Sequence, residues 1–273
     1  MFDKSIIIFE DADLLVIDKP AGVIVNRATS HHQYTLQDFM VDYLSLPPIP
    51  ADLPVPDEHA SREHVFAFRQ GLVHRLDKDT SGLILWAKNP DSLANLLSQF
   101  QQRTVHKTYL CLTHGLWRDK SGRLTGALAR KPTNRQIMAV VPDGRPAVTL
   151  YQVTQEFPHF ATDKLLSTAK LAGITLHRRD IERLYQGFSL VEMQLLTGRT
   201  HQIRAHATSV GHPLVGDTNY LPRRKARLDP LWCPRQFLHA QQLSFTHPTS
   251  GEPLTFTTPL PADLRAALTW LQP

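Results

Sequence analysis

The stretch Gly71 to Lys88 reads Gly-Leu-Val-His-Arg-Leu-Asp-Lys-Asp-Thr-Ser-Gly-Leu-Ile-Leu-Trp-Ala-Lys and concentrates the chemistry of the chain. His74, Arg75, Asp77, Lys78, Asp79, Thr80 and Ser81 run directly into Leu83, Ile84, Leu85 and Trp86. The second half has the length and composition of a buried strand. Gly82 stands at the junction, where a residue without a Cβ lets the backbone turn sharply or approach another group. Asp77 is therefore expected on a loop held at the edge of a rigid sheet, a common place for a catalytic carboxylate. Two other readings apply to the same residues. One is an ordinary polar turn in which Asp77 pairs with Arg75 while Thr80 and Ser81 cap backbone groups. The other is the kinase catalytic loop His-Arg-Asp, whose Asp serves as base. It fails, because one residue too many precedes the Asp, no glycine-rich loop lies upstream and no Asp-Phe-Gly follows.

Other polar groupings have bland readings of their own. Thr197 to His206 reads Thr-Gly-Arg-Thr-His-Gln-Ile-Arg-Ala-His. Thr200 is the expected cap of a helix running to about Val210, on which Gln202, His206 and Ser209 share a face and His201 neighbours Arg204. Lys107-Thr108-Tyr109 falls in a strand, where a tyrosine is ordinarily a core residue with its hydroxyl satisfied. Arg223, Arg224, Lys225 and Arg227 form a basic run, usually a solvated face. His59 and His64 sit beside Glu58 and Glu63, but not in the order His-Glu-x-x-His, so no metal site is expected there. Cys111 and Cys233 are too few and too far apart for a disulfide framework or a four-cysteine zinc site.

The elements that must hold these groups follow from composition and pattern. With 273 residues, 42% of them hydrophobic, the chain can build a substantial core. Its 30 Lys and Arg against 25 Asp and Glu give a net charge of +5, which suits an anionic partner such as RNA without requiring one. The N-terminal apolar run is too short for a signal sequence and no stretch is long enough to cross a bilayer, so a cytoplasmic protein is expected.

Ile6 to Phe9 and Leu14 to Ile17 read as two strands around a polar turn, followed by the turn Lys19-Pro20-Ala21-Gly22. Thr35 to Leu46 has helical spacing, with Thr35 as cap. Pro47, Pro48, Pro50, Pro54 and Pro56 then make a loop, read with the residues to His64 as a surface insertion. Asn89-Pro90 starts a helix carrying Leu93, Leu96, Leu97 and Phe100 and ending near Arg103. A strand from Val105 to Leu116 leads into an antiparallel meander, Gly122 to Phe157, studded with Arg123, Arg130, Lys131, Arg135 and Arg145. Pro158 to Gln186 is a basic excursion, read as an insertion between two strands. Ser189 to Leu196 is the next strand, and Pro261 to Leu271 a short final helix with Leu264, Ala267, Leu268 and Leu271 inward.

Taken together, several motifs carry a resemblance. His74-Arg75-Leu76-Asp77 followed by Thr80-Ser81-Gly82 resembles the signature of the RluA-type pseudouridine synthases. Lys19-Pro20-Ala21-Gly22 is similar to that family's first motif. Thr197 to His206, with Gly211 to Asp217 and Tyr220, resembles its third, and Phe237 to Ala240 with Phe245 to Pro248 resembles its closing strand. The four segments stand in family order and span nearly all of the chain.

The resemblance implies an α+β fold: a mixed, mainly antiparallel sheet with peripheral helices and a central basic cleft, as one catalytic domain without the small S4 domain that often precedes it. It implies conversion of uridine to pseudouridine in ribosomal or transfer RNA, by a monomer without metal or cofactor. Asp77 would be the nucleophile and Arg204 its ion-pair partner. Tyr109 would stack on the flipped uracil and assist loss of the C5 proton. His74, Arg75, Thr80, Arg199, His201 and Ile203 would contact substrate, and the Arg223, Arg224, Lys225 and Arg227 cluster would face phosphates. Attack at C6, attack at C1′ and a glycal route all stay open. A different class, a non-catalytic RNA-binding or ribosome-assembly factor on the same fold, is the alternative. A third, a metal-dependent hydrolase using the scattered histidines, would be inhibited by chelators.

Overall fold

The computed structural model describes residues 3–27, 33–50 and 52–273. Met1 and Phe2, within the N-terminal segment read above, and Ala51, within the proline-dense loop, lie outside the described residues.

Strands β1 (Ile7–Glu10) and β2 (Leu14–Lys19) form the expected antiparallel pair. They turn at Asp11, whose Oδ1 accepts the N–H groups of Asp13 and Leu14 at 2.8 and 2.9 Å. Helix α1 (Leu36–Leu44) begins where Thr35 Oγ1 accepts the Asp38 N–H at 3.2 Å and the Asp38 carboxylate accepts the Thr35 N–H at 2.8 Å. These reciprocal bonds satisfy two donors that a helix start would otherwise strand. Helix α2 (Arg62–Arg69) follows the proline-dense loop and is capped by Ser61. Its first residues fall inside the region read from sequence as loop. The prolines, which forbid regular structure, end at Pro56, and the chain is free to coil again six residues later. Strand β3 (Ser81–Ala87) is buried throughout, and α3 (Pro90–Gln102) starts on the Asn89 cap.

Beyond these come β4 (His106–His114), β5 (Ser121–Lys131), β6 (Asn134–Val140), β7 (Arg145–Phe157), β8 (His159–Phe160), α4 (Thr162–Leu171), α5 (Arg178–Leu184) and β9 (Phe188–Leu195). The chain closes with α6 (Gln202–Ser209), α7 (Arg223–Leu228), β10 (Leu238–Thr246), β11 (Pro253–Thr257), α8 (Ala262–Leu268) and β12 (Leu271–Gln272).

The chain divides into two compact units. The first comprises the residues up to His106 together with Gln242–Thr258. In it β2 lies between β1 and β3, with Leu14 opposite Ala87 and Lys19 opposite Gly82. Leu14 and Val16 alternate onto the face that also carries Leu83 and Leu85. Leu243 and Phe245 of β10, the next strand beside β3, extend that face, and Leu93 and Leu96 of α3 cover it.

The second unit comprises Lys107–Gln241 with Pro259–Pro273. Its sheet runs β4, β9, β7, β5, β6, each pair antiparallel. The Pro158 to Gln186 segment lies between β7 and β9 and contributes Phe160, Leu165, Ile181 and Tyr185 to the core around Phe188, Trp232 and Trp270. Leu165 and Ile181 are buried to 0% and 1% exposure. Burying one such side chain contributes roughly 1.5–3 kcal/mol. The segment is thus part of what holds this unit together.

Helix α6 starts differently from the expectation that Thr200 caps it. His201, in the left-handed region at φ +51°, precedes the first turn, and among the described residues no side chain caps it. Gln202 ties the entering loop instead. Its Oε1 accepts the Arg199 N–H at 3.0 Å and the Thr197 hydroxyl at 2.8 Å.

Candidate active site

Three side chains of the first unit hold the Asp77 loop. The chain reaches it from a bridge between Leu72 and Trp86, beside β3. At the next ladder position the Leu85 N–H finds the His74 ring, donating to Nε2 at 3.0 Å. An N–H can only donate, so the neutral His74 carries its proton on Nδ1. The ring also stacks on Phe100, centroids 4.8 Å apart. Arg69, at the end of α2, donates to the carbonyls of Leu72 and Val73 at 2.8 and 3.0 Å and fixes the root of the loop. Burial, then the nearby Arg75, lowers the pKa of Arg69, which remains a cation at neutral pH.

Lys19 completes the support. It is fully buried, and its ammonium donates to the carbonyls of Pro20, Val23 and Lys78 at 2.8, 3.0 and 3.0 Å. Three N–H donors meet three acceptors, which makes a buried ammonium tolerable. Lys78 follows Asp77 directly, and the Thr80 N–H closes the turn onto the Asp77 carbonyl at 3.1 Å. Asp77 itself is partly exposed at the tip, Thr80 is fully buried beneath it, and the exposed Arg75 reaches Asn26 Oδ1 at 3.3 Å. Sequence reading missed Arg69 and the reach of Lys19; a lysine before Pro-Ala-Gly gives no sign that its ammonium points inward.

In the second unit, Arg204 is 3% exposed on α6. Its Nε and Nη2 donate to the two oxygens of the buried Asp217 at 2.7 and 2.8 Å, a two-point pair that fixes the plane of the guanidinium. The Tyr220 ring lies under it, 4.9 Å from centroid to Cζ, where the ring face attracts a cation. The Tyr220 hydroxyl also accepts the Met138 N–H at 2.8 Å and meets His201 Nδ1 at 3.1 Å. Asp217 and Tyr220 are thus neighbours of Arg204 that the sequence analysis quoted in a motif without assigning them a role.

Gln202 and His206, predicted to share a face of α6, both reach β7. Gln202 Nε2 donates to the Val148 carbonyl and Thr149 Oγ1 at 2.9 and 3.0 Å. His206 Nε2 donates to the Gly126 carbonyl at 3.3 Å, so Nδ1 is the acceptor for the Thr149 hydroxyl at 3.0 Å. Burial lowers the His206 pKa, against the Gly126 bond, and favours this neutral form. These bonds lock the helix that carries Ile203 and Arg204. Ile203 is buried, and Arg199 Nε lies 3.3 Å from the Pro146 carbonyl. Tyr109 is 6% exposed on β4, opposite Met193 of β9.

The basic run is not uniform. Arg223 and Arg227 are exposed, Arg224 pairs with Asp180 of α5 at 3.0 Å, and Lys225 is partly buried with its pKa lowered by desolvation. Elsewhere, Asp11, Asp13 and His247 converge closely enough to hold a cation. Their bonds point to another role. His247 Nδ1 accepts the N–H groups of Thr249 and Ser250 at 3.2 and 3.0 Å, which puts the ring proton on Nε2, 2.9 Å from Asp11 Oδ2. A metal at Nε2 would have to displace that proton from a ring with no second one to spare. The cluster pins the β10–β11 turn to the β1–β2 turn.

The chain belongs to the RNA pseudouridylate synthase family, whose model matches residues 13–209. It is 38% identical, over 96% of its length, to ribosomal large subunit pseudouridine synthase D of Nitrosomonas europaea, of which it spans 64%. It is 40% identical, over 93% of its length, to an uncharacterized RNA pseudouridine synthase of Chloroflexus aurantiacus, of which it spans 66%. The chain thus spans less than two thirds of the length of either relative. Human RNA pseudouridylate synthase domain containing 1 has the same fold, with a TM-score of 0.63 at 24% identity over 98% of this chain and 90% of that one. Among the described residues no helix is long and apolar enough to cross a membrane.

Proposed function

We propose that this chain isomerises uridine to pseudouridine within structured RNA, with Asp77 as nucleophile, Arg204 as its ion-pair partner and Tyr109 stacking on the flipped base. The observation that carries this reading is family membership over a matched segment, residues 13–209, that includes all three residues.

The reaction breaks the N1–C1′ bond, turns the uracil and joins C5 to C1′; C5 loses a proton and N1 regains one. No atom is gained overall and no electron is transferred, so the protein must supply a nucleophile, a base and a way to hold the uracil. A partly exposed carboxylate on a braced loop suits the first task, because positioning lowers the barrier only where the attacking group is held still. Opposite charge favours the ionised form of that carboxylate. Arg204 is a suitable source: a guanidinium has five N–H donors, Asp217 takes two of them, and the reading assigns others to Asp77. Tyr109 offers a flat face for the uracil and a hydroxyl for the C5 proton. Ile203 would close on the base, and Arg199, His201 and the Arg223–Arg227 run would meet the surrounding strand. Flipping the nucleotide costs a few kcal/mol, which stacking and phosphate contacts offset.

The relatives named for the large ribosomal subunit make its RNA the first substrate to test, with transfer RNA second; acting on either, the chain would work in the cytoplasm. The test is pseudouridine mapping in these RNAs after incubation with the wild-type chain and with Asp77→Ala. The wild type should modify discrete uridines and the variant none, while RNA affinity stays within about twofold, because phosphate contacts lie elsewhere. RNA that the wild type binds but leaves unmodified would instead favour a binding or assembly factor.

A further inference from the structure

Asp229 follows α7 directly and is fully buried. Its hydrogen bonds come from separate parts of the second unit. Oδ2 accepts from His114 Nε2 at 2.8 Å, at the end of β4, and from the Gly216 N–H at 2.9 Å. Oδ1 accepts from the Tyr185 hydroxyl at 2.8 Å, and Trp232 Nε1 donates to that hydroxyl in turn at 3.4 Å. Gly216 immediately precedes Asp217, the residue that grips Arg204. Its φ is +72°, and a Cβ there would stand 2.0 Å from the Arg235 carbonyl oxygen. The backbone at Gly216 therefore runs closely against that of Arg235, where no side chain would fit.

We propose that Asp229 is a positioning residue for Arg204: by fixing the Gly216 peptide it sets the direction in which Asp217 presents its carboxylate to the guanidinium. The inference rests on the reading that Arg204 serves the isomerisation.

Packing alone does not account for this group. A buried carboxylate is costly to desolvate, and apolar residues of similar volume are commonly as stabilising or more so. His114 adds to the cost, because its Nδ1 is buried and has no hydrogen-bond partner among the described residues. Burial pushes the His114 pKa down against the pull of Asp229, so the ring is neutral and contributes its Nε2–H without cancelling the charge. What the arrangement does deliver is a strong acceptor, oriented by two side-chain donors, aimed at one backbone N–H. That N–H lies one residue from Asp217. Tyr185 stands at the end of α5, so the segment Pro158 to Gln186 supplies one of the orienting donors and acquires a role beside its packing.

The test is a double-mutant cycle on turnover with Asp229→Asn, Asp217→Asn and both together. Each single variant should lower kcat about tenfold to a hundredfold, the range for losing a hydrogen bond to a charged group, with KM for RNA within about twofold. The double variant should be no slower than Asp217→Asn alone, since Asp229 then has nothing left to direct. Losses that multiply would overturn the proposal. If Asp229→Asn does not fold, Tyr185→Phe takes its place in the same cycle, with a smaller loss and the same non-additivity expected. A readout independent of activity is the ¹H–¹⁵N resonance of Arg204 Nε, which should shift in Tyr185→Phe and Asp229→Asn; an unmoved resonance would also overturn it. A wild-type chain that modifies no RNA would sink the isomerase reading alone, because the Arg204 resonance reports on the Asp229 connection regardless.

Discussion

The ammonium of Lys19 lies 3.0 Å from the carbonyl oxygen of Lys78, the residue that follows Asp77. A fully buried cation on β2 thus holds the tip of a loop that is 59 residues away in the chain and whose carboxylate side chain reaches the surface. The loop is braced from below by Lys19, at its root by Arg69 and along its rising arm by His74.

Replacing Lys19 by Met keeps the length of the side chain but leaves three carbonyls with no donor. Each buried acceptor left unsatisfied costs about 1–3 kcal/mol. Three such losses, offset in part because no ammonium is then buried, should make Lys19→Met less stable by about 3 kcal/mol or more, read as a shift in the urea midpoint, and should reduce turnover in the fraction that stays folded. Loss of stability with unchanged turnover would show that the loop keeps its shape without Lys19.

His74 acts on the same loop through a single acceptor atom. His74→Ala removes both the partner of the Leu85 N–H and the ring stacked on Phe100, and should cut turnover more than it weakens RNA binding. Asn or Gln at this position can offer a carbonyl oxygen to the same N–H and should restore part of the loss. Equal activity in the Ala and Gln variants would dismiss the bond as a positioning element.

Much of this architecture is legible in the sequence. Capping residues such as Thr35 and Asn89 announce helices because their side chains satisfy neighbouring N–H groups, a local matter. The strands announce themselves by β-branched apolar runs. Legibility fails where distant parts of the chain decide. Nothing near Lys19 says that its ammonium will meet the Lys78 carbonyl. Nothing in Thr-Gly-Arg-Thr-His says that Gln202, rather than Thr200, will organise the start of α6. Pro158 to Gln186 reads as a basic excursion because its five Lys and Arg outnumber its three Asp and Glu. Leu165 and Ile181 nevertheless sit in the core. The motif around Asp77 points to the chemistry, and the residues that hold it in place become visible only in three dimensions.

Two buried histidines make stability depend on pH. Burial lowers the pKa of both His114 and His206 in the folded chain, opposed in the first by Asp229 and in the second by the Gly126 carbonyl. In the unfolded chain they titrate near about 6.5. Below that value the unfolded state binds more protons, so their contribution is complete above about pH 7 and is lost as pH falls from there toward the folded values. The urea midpoint should drop between pH 7.5 and 5.5. His206→Gln, which cannot titrate, should lower stability at pH 7.5 and flatten the drop; an equally steep drop would show that His206 is not one of its sources.

The basic run beyond Tyr220 separates by what its members meet. Arg223, Arg224 and Arg227 are all exposed, but Arg224 is engaged by Asp180, and Lys225 is partly buried. If Arg223 and Arg227 meet RNA phosphates, each contact releases condensed counterions and adds about 0.7–0.9 to the slope of log affinity against log salt. Arg223→Ala and Arg227→Ala should therefore each weaken RNA binding at low salt, reduce that slope by somewhat less than one unit and leave the choice of uridine unchanged. Arg224→Ala should move the slope less, because its charge is already shared with a carboxylate. Fluorescence anisotropy titrations between 50 and 200 mM salt, roughly the range over which phosphate contacts weaken most visibly, measure all three. Slopes equal to that of the wild type in Arg223→Ala and Arg227→Ala would place the RNA on another face of the molecule.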